Sequence, residues 1–156
     1  MLRWLWLSGL VLVIDQLTKF VAESVLAPYQ PVAVLPSFNL MLAYNTGAAF
    51  SFLATAGGWQ RWLFTVLALT VSAALLVWLR RLQATERRLA VALALILGGA
   101  VGNMLDRLLW GHVIDFIDVY LGSNHWPAFN VADSAISVGA VLLVFDSLLS
   151  RKSTTA

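Results

Sequence analysis

The stretch WLFTVLALTVSAALLVWL, residues 62–79, contains no charged side chain, no Gly and no Pro. As a helix rising about 1.5 Å per residue it reaches about 27 Å, close to the hydrocarbon thickness of a bilayer. Working outward, apolar runs recur at about residues 4–26, 89–109 and 131–149. The chain is therefore expected to be an all-α membrane protein with four transmembrane helices. Composition agrees: 60% of the 156 residues are hydrophobic and only 12% charged, with a mean hydropathy of +0.83, outside the usual mix of a water-soluble domain. Met1-Leu2-Arg3 and the apolar run after it imitate a signal peptide, but Asp15, Lys19 and Glu23 follow where a cleavage site needs small residues. The segment is expected to be retained as the first span.

Basic residues set the orientation, because short loops rich in Lys and Arg stay in the cytoplasm. Arg3 precedes the first span, Arg80, Arg81, Arg87 and Arg88 join the second and third, and Arg151 and Lys152 follow the fourth. Both termini are thus expected inside. This placement explains the net charge of +2 by topology, so no nucleic-acid partner is expected. The connections at about 27–61 and 110–130 then face outward, flanked by Trp59, Trp62, Trp110 and Trp126 at the level that indole rings prefer. In the first of them, Val32 to Leu35 and Asn39 to Asn45 have strand-like composition bounded by Pro31, Pro36 and Gly47. A small extracytoplasmic β-sheet between helices 1 and 2 is expected there. No repeat or linker divides the chain, which reads as a single domain, 1–156, ending in a disordered polar tail at about 150–156.

With no Cys in the chain, thiolate chemistry, disulfides and sulfur-bound metals are excluded. Ionisable groups inside membrane spans are costly and tend to mark function. Asp15, Lys19 and Glu23 share one helix face at spacings of four. An internal ion pair that lets the helix insert explains Asp15 and Lys19 most simply; a polar face turned toward a substrate cavity is the sharper reading. In the third span, Gly98 and Gly102 form a small-residue face for close helix packing, and Asn103, Asp106 and Arg107 form one polar face toward the outer side. A structural Asp106–Arg107 pair is the plain account of those two. Asp115 and Asp133 both lie near the outer lipid boundary, and two carboxylates sharing a proton can activate water for peptide hydrolysis. Asn130 and Asp133 equally fit a helix N-cap and first turn. Spacing alone leaves both Asp115 and Asp118 open as the partner of Asp133. His112 and His125 stand apart in the sequence and suggest interfacial residues, with no metal site expected.

Five blocks together resemble the lipoprotein signal peptidases, or type II signal peptidases. They are Asp15-Gln16-Leu17-Thr18-Lys19, Asn45-Thr46-Gly47-Ala48-Ala49-Phe50-Ser51, Gly98 through Arg107, Val113-Ile114-Asp115-Phe116, and Phe129-Asn130-Val131-Ala132-Asp133-Ser134. The resemblance implies an aspartic endopeptidase of the bacterial inner membrane, multi-pass, with its active site toward the periplasmic face. It implies removal of signal peptides from prolipoproteins just before a diacylglyceryl-modified cysteine. The catalytic pair falls on Asp115 and Asp133, with Asp15, Lys19, Asn45, Gly47, Gly99, Asn103, Asp106, Arg107 and Asn130 supporting or lining the substrate site. No cofactor is implied. The implied partners are diacylglyceryl-modified precursors, membrane lipids and globomycin-like inhibitors, with the chain acting as a monomer. The rival reading is a small proton- or ion-coupled transporter, since intramembrane acids and bases also build ion paths. Against it, no inverted repeat or pair of broken spans is visible, and Asp115 and Asp133 sit near one face instead of the midplane.

Overall fold

The structure, a computed structural model, describes residues 1–47, 52–53 and 55–154. Four long helices dominate it: α1 (Leu5–Val25), preceded by a 3-10 turn at Leu2–Trp4, α2 (Trp59–Arg81), α3 (Arg87–Leu109) and α4 (Val131–Thr154). Each is long and apolar enough to cross a membrane. The helix α4 continues into the stretch expected to be a disordered tail; residues 155–156 lie outside those described.

The third helix is the axis of the bundle, packing against α1, α2 and α4. Its sequence explains why. Ala90, Ala92, Leu93 and Ala94 are wholly buried, and glycines replace side chains where neighbours press closest. A Cβ on Gly98 would lie 2.8 Å from the Ser8 carbonyl, and one on Gly102 2.6 Å from Asp15 Oδ2. A Cβ on Gly99 would overlap the Ala132 carbonyl, while on α4 one at Gly139 would lie 2.6 Å from Ile96. Small residues of this kind bring helix backbones together where lipid supplies no hydrophobic drive between helices. Toward the basic loop, Leu75, Leu79, Leu82, Leu89, Ala90, Leu93 and Leu97 close an apolar core between α2 and α3. Val66, Leu67 and Leu69 on α2 and Val138, Val141, Val144 and Phe145 on α4 stay exposed, as suits surfaces that meet acyl chains instead of water.

At the other end lies a four-stranded antiparallel sheet in the order β1-β2-β3-β4: β1 (Val32–Leu35), β2 (Phe38–Asn45), β3 (Val113–Leu121) and β4 (Asn124–His125). The first two strands come from the connection between α1 and α2, as expected. Half of the sheet, however, comes from the connection between α3 and α4, where the sequence suggests only an apolar segment. The reason is burial on both faces: Val113 to Phe116 are all buried, so the polar–apolar alternation that advertises a half-exposed strand is missing. Pairing of β2 with β3 runs Asn39 opposite Asp118 and Ala43 opposite Asp115, with a bulge on β2 between them.

Candidate active site

Side chains alternate along a strand, so residues three apart point to opposite faces. On β3 this separates the two acids that the sequence left as alternatives. Asp118 is buried on one face, accepting 2.8 Å from Asn39 Nδ2 and facing His125 Nδ1 at 2.7 Å. Asp115 faces the other way, into a cavity of about 850 Å³ that Asp133 also lines. That cavity runs between the sheet and the ends of α3 and α4 nearest to it.

Asp133 reaches the same place through the start of α4. Asn130 Oδ1 accepts the Asp133 N–H at 2.9 Å, and Asp133 Oδ2 accepts the Asn130 N–H at 3.3 Å. This reciprocal exchange is a capping box, so the capping interpretation holds. It leaves Asp133 Oδ1 to accept from Asn103 Nδ2 at 2.7 Å, and the carboxylate serves cap and cavity at once. Asn130, wholly buried, also ties the two acids together: its Nδ2 donates to Asp115 Oδ1 at 2.7 Å, to the Ile114 carbonyl at 3.2 Å and to Asn103 Oδ1 at 3.2 Å. Asn45 Nδ2 donates to the other oxygen of Asp115 at 3.2 Å.

The Asp115 carboxyl is pushed up from 3.8 to about 7, first by burial and then by the neighbouring Asp133 charge, against the lowering effect of Asn45, Asn130 and Lys19. A carboxyl with that affinity keeps a proton to near neutral pH. The site can therefore present one acid and one base from two chemically identical groups.

Arg107 crosses from α3 to the connection between α1 and α2. Its Nη2 donates to the Gly47 carbonyl at 2.7 Å, its Nη1 to the Asn103 carbonyl at 3.3 Å, and the guanidinium lies 5.2 Å from the Phe64 ring centre. The expected Asp106–Arg107 pair is not what forms. Asp106 turns inward to Lys19, at 2.8 Å, because residues adjacent on a helix project about 100° apart. Asp15 pairs with the same Lys19 at 2.8 Å, so the internal ion pair expected in α1 is half of a three-residue cluster. Glu23 is exposed and accepts a hydrogen bond from the Tyr44 hydroxyl.

The sequence candidates thus fall into layers. Asp115, Asp133, Asn45, Asn103 and Arg107 line the cavity; Asn130 sits directly behind the pair, and Asp15, Lys19 and Asp106 behind that. Gly99 touches α4 at Ala132 and Ile136, so here it seats a helix and does not meet the cavity. Of the Asn45–Ser51 block, Ala48 to Ser51 lie outside the described residues. The histidines are less isolated than their spacing suggests: His112 packs edge-on against Tyr44 at 4.6 Å, and His125 stacks on Tyr120 at 5.0 Å. Among the described residues no three His, Asp or Glu side chains stand together as metal ligands. Gln16, missed as a site residue, donates to Asp106 at 2.8 Å and Asp15 at 3.2 Å; its only signal was its place inside the first block. The cavity wall formed by Tyr29, Tyr44 and Trp126 carried no signal beyond the expected position of Trp126 at the interface.

Comparison with known proteins places this geometry. The profile of signal peptidase (SPase) II matches residues 7–149. The lipoprotein signal peptidase of Pseudomonas putida is 61% identical over 154 residues, covering 97% of this chain and 90% of that one. The protein of the same name from Paraburkholderia phymatum is 58% identical over 146 residues, covering 93% and 87%. A bacterial membrane enzyme solved by the in meso method at 2.3 Å superposes with a TM-score of 0.87 at 28% identity, over 99% of this chain and 92% of that one. A match that spans all four helices and both halves of the sheet, at this level of identity, means that the chain belongs to the signal peptidase II family.

Proposed function

We propose that Asp115 and Asp133 are the catalytic pair of an aspartic endopeptidase, and that they cut a lipoprotein precursor just before its diacylglyceryl-modified cysteine. The chain is a bacterial multi-pass membrane peptidase acting on prolipoproteins, and the transporter alternative is not favoured by its family. The observation that carries the finer reading is that the buried Asp115 and the half-buried Asp133 line one cavity while Asn130 donates to the first and is capped by the second.

In the reaction the pair holds one proton. Its ionised member takes a proton from water as the water oxygen bonds the scissile carbonyl carbon; its protonated member gives a hydrogen bond and then its proton to the carbonyl oxygen. Return of the first proton to the amide nitrogen, as one hydroxyl of the tetrahedral diol gives its proton back to the other aspartate, breaks the C–N bond, releasing the signal peptide as a carboxylic acid and the lipoprotein as an amine, with one proton again on the pair. Asn45, Asn103 and Asn130 orient the carboxylates through amide donors. Arg107 Nε, buried with no acceptor among the described residues, is a donor suited to a substrate carbonyl. A signal peptide's apolar helix occupies the bilayer, so its cleavage site emerges at the membrane surface. The basic loop and both termini lie at the opposite end of the helices from the cavity, which supports cytoplasmic termini and a periplasmic active site. Globomycin-like peptides would occupy the same cavity, and the chain works as a monomer.

The test is purified enzyme in lipid nanodiscs given a precursor with and without the diacylglyceryl group. Mass spectrometry should find cleavage before the cysteine only in the modified precursor, blocked by globomycin. Equal cleavage of both precursors, or cleavage elsewhere, rejects the assigned substrate.

A further inference from the structure

Behind the pair lie three buried ionisable groups that take no step in the hydrolysis. Their contacts fall on the residues next to the two acids. Asp15 Oδ1 accepts the N–H of Ala132 at 2.9 Å, and Ala132 immediately precedes Asp133. Asp106 Oδ2 accepts the N–H of Ile114 at 3.2 Å, and Ile114 immediately precedes Asp115. Lys19 joins these two carboxylates: its Nζ lies 2.8 Å from Asp15 Oδ2 and 2.8 Å from Asp106 Oδ2. The ammonium also donates to Asn103 Oδ1 at 3.0 Å. With its oxygen held there, the Asn103 amide must turn its NH₂ toward Asp133, where the 2.7 Å bond is made.

We propose that Lys19 is the positioning residue of the catalytic pair. By tying Asp15 to Asp106 it sets the separation of the two backbone segments that carry Asp133 and Asp115. By holding Asn103 it also fixes the donor on Asp133. Lys19, Asp15 and Asp106 are all at most 1% exposed, so neither water nor lipid headgroups can replace the ammonium. Without it, only the neutral Gln16 amide bridges the two buried carboxylates, which then repel each other and move apart or take up a proton. The first response releases the N–H groups beside the pair, and the second weakens the hydrogen bonds that hold them. This tie is separate from the one made by Asn130, and it rests on the reading of Asp115 and Asp133 as the catalytic pair.

The experiment measures kcat and KM per folded molecule, with folding assessed by tryptophan fluorescence, for Lys19→Met, Asp106→Asn, Asp106→Leu and Asp115→Asn. Misplacement of reacting groups by about 1 Å costs roughly 100-fold in rate, so Lys19→Met should lose about that much kcat with KM within about threefold. Asp106→Asn still offers an oxygen to Ile114 and should retain about ten times the kcat of Asp106→Leu. Wild-type kcat per folded molecule in Lys19→Met, or equal kcat in the two Asp106 variants, overturns the proposal. If Lys19→Met does not fold, the Asp106 comparison decides alone. Cleavage by Asp115→Asn at the wild-type rate instead removes the catalytic pair itself; an inactive Asp115→Asn beside a fully active Lys19→Met removes only the positioning role.

Discussion

Replacing Asp115 by Asn should abolish cleavage and yet make the protein more stable at alkaline pH. In the folded chain this carboxyl is raised from 3.8 to about 7 by burial and by Asp133. Between those values the native state holds a proton that the unfolded state has lost, so stability falls as pH rises through this window; above pH 7 the penalty is complete, and below 3.8 it is absent. At about 1.4 kcal/mol per pH unit, the full penalty is about 4 kcal/mol. Asn removes it but gives up one acceptor, since Asn45 and Asn130 now donate to opposite oxygens of the carboxylate, a loss of about 1–2 kcal/mol. The variant should therefore exceed wild type by about 2–3 kcal/mol at pH 8, and the gap should shrink by about the same amount on going to pH 5. SDS-titrated unfolding in mixed micelles, followed by tryptophan fluorescence at both pH values, measures it. A variant no more stable than wild type at pH 8, or a gap that does not close with acid, refutes the reasoning.

Asp118→Asn, on the opposite face of β3, should keep kcat within about threefold and lose about 1–3 kcal/mol of stability from the weakened contact to His125; an inactive but folded variant would reassign the pair. Gly99→Ala drives a methyl into Ala132 one residue before Asp133 and should cost about 1–3 kcal/mol together with most of the activity, read by unfolding and cleavage on one sample. Wild-type behaviour there would mean that α4 is not seated as described. Alkaline phosphatase fused after Gly122 should be active in cells and inactive after Gln83; the reverse pattern inverts the assigned topology.

The four helices were legible because transmembrane segments are written in hydropathy, and β1 and β2 because Pro and Gly punctuate them. The strand β3 was not, since Val113 to Phe116 are buried on both faces and show no alternation. The identity of the second acid illustrates the same limit. Asp115 and Asp118 sit in equally apolar surroundings, and only a register that sets Asn39 opposite Asp118 separates the one that faces Asp133. The family blocks gave Asp115, but local chemistry did not. Lys19 was readable as a partner of Asp15 from their spacing in one helix; its bond to Asp106 joins residues far apart in the chain and required the packing that Gly98 and Gly102 permit. Adjacency misled for Asp106 and Arg107, whose side chains leave the helix in different directions.

The central claim is that Asp115 and Asp133 act together on one water. Single-turnover cleavage of a diacylglyceryl-modified precursor by wild type, Asp115→Asn and Asp133→Asn, each in excess over substrate and each verified as folded, tests it most directly. The account predicts that either substitution alone lowers the rate by at least about 10³-fold, because residues that act as a unit fail together. Cleavage by either variant within about tenfold of wild type would contradict it.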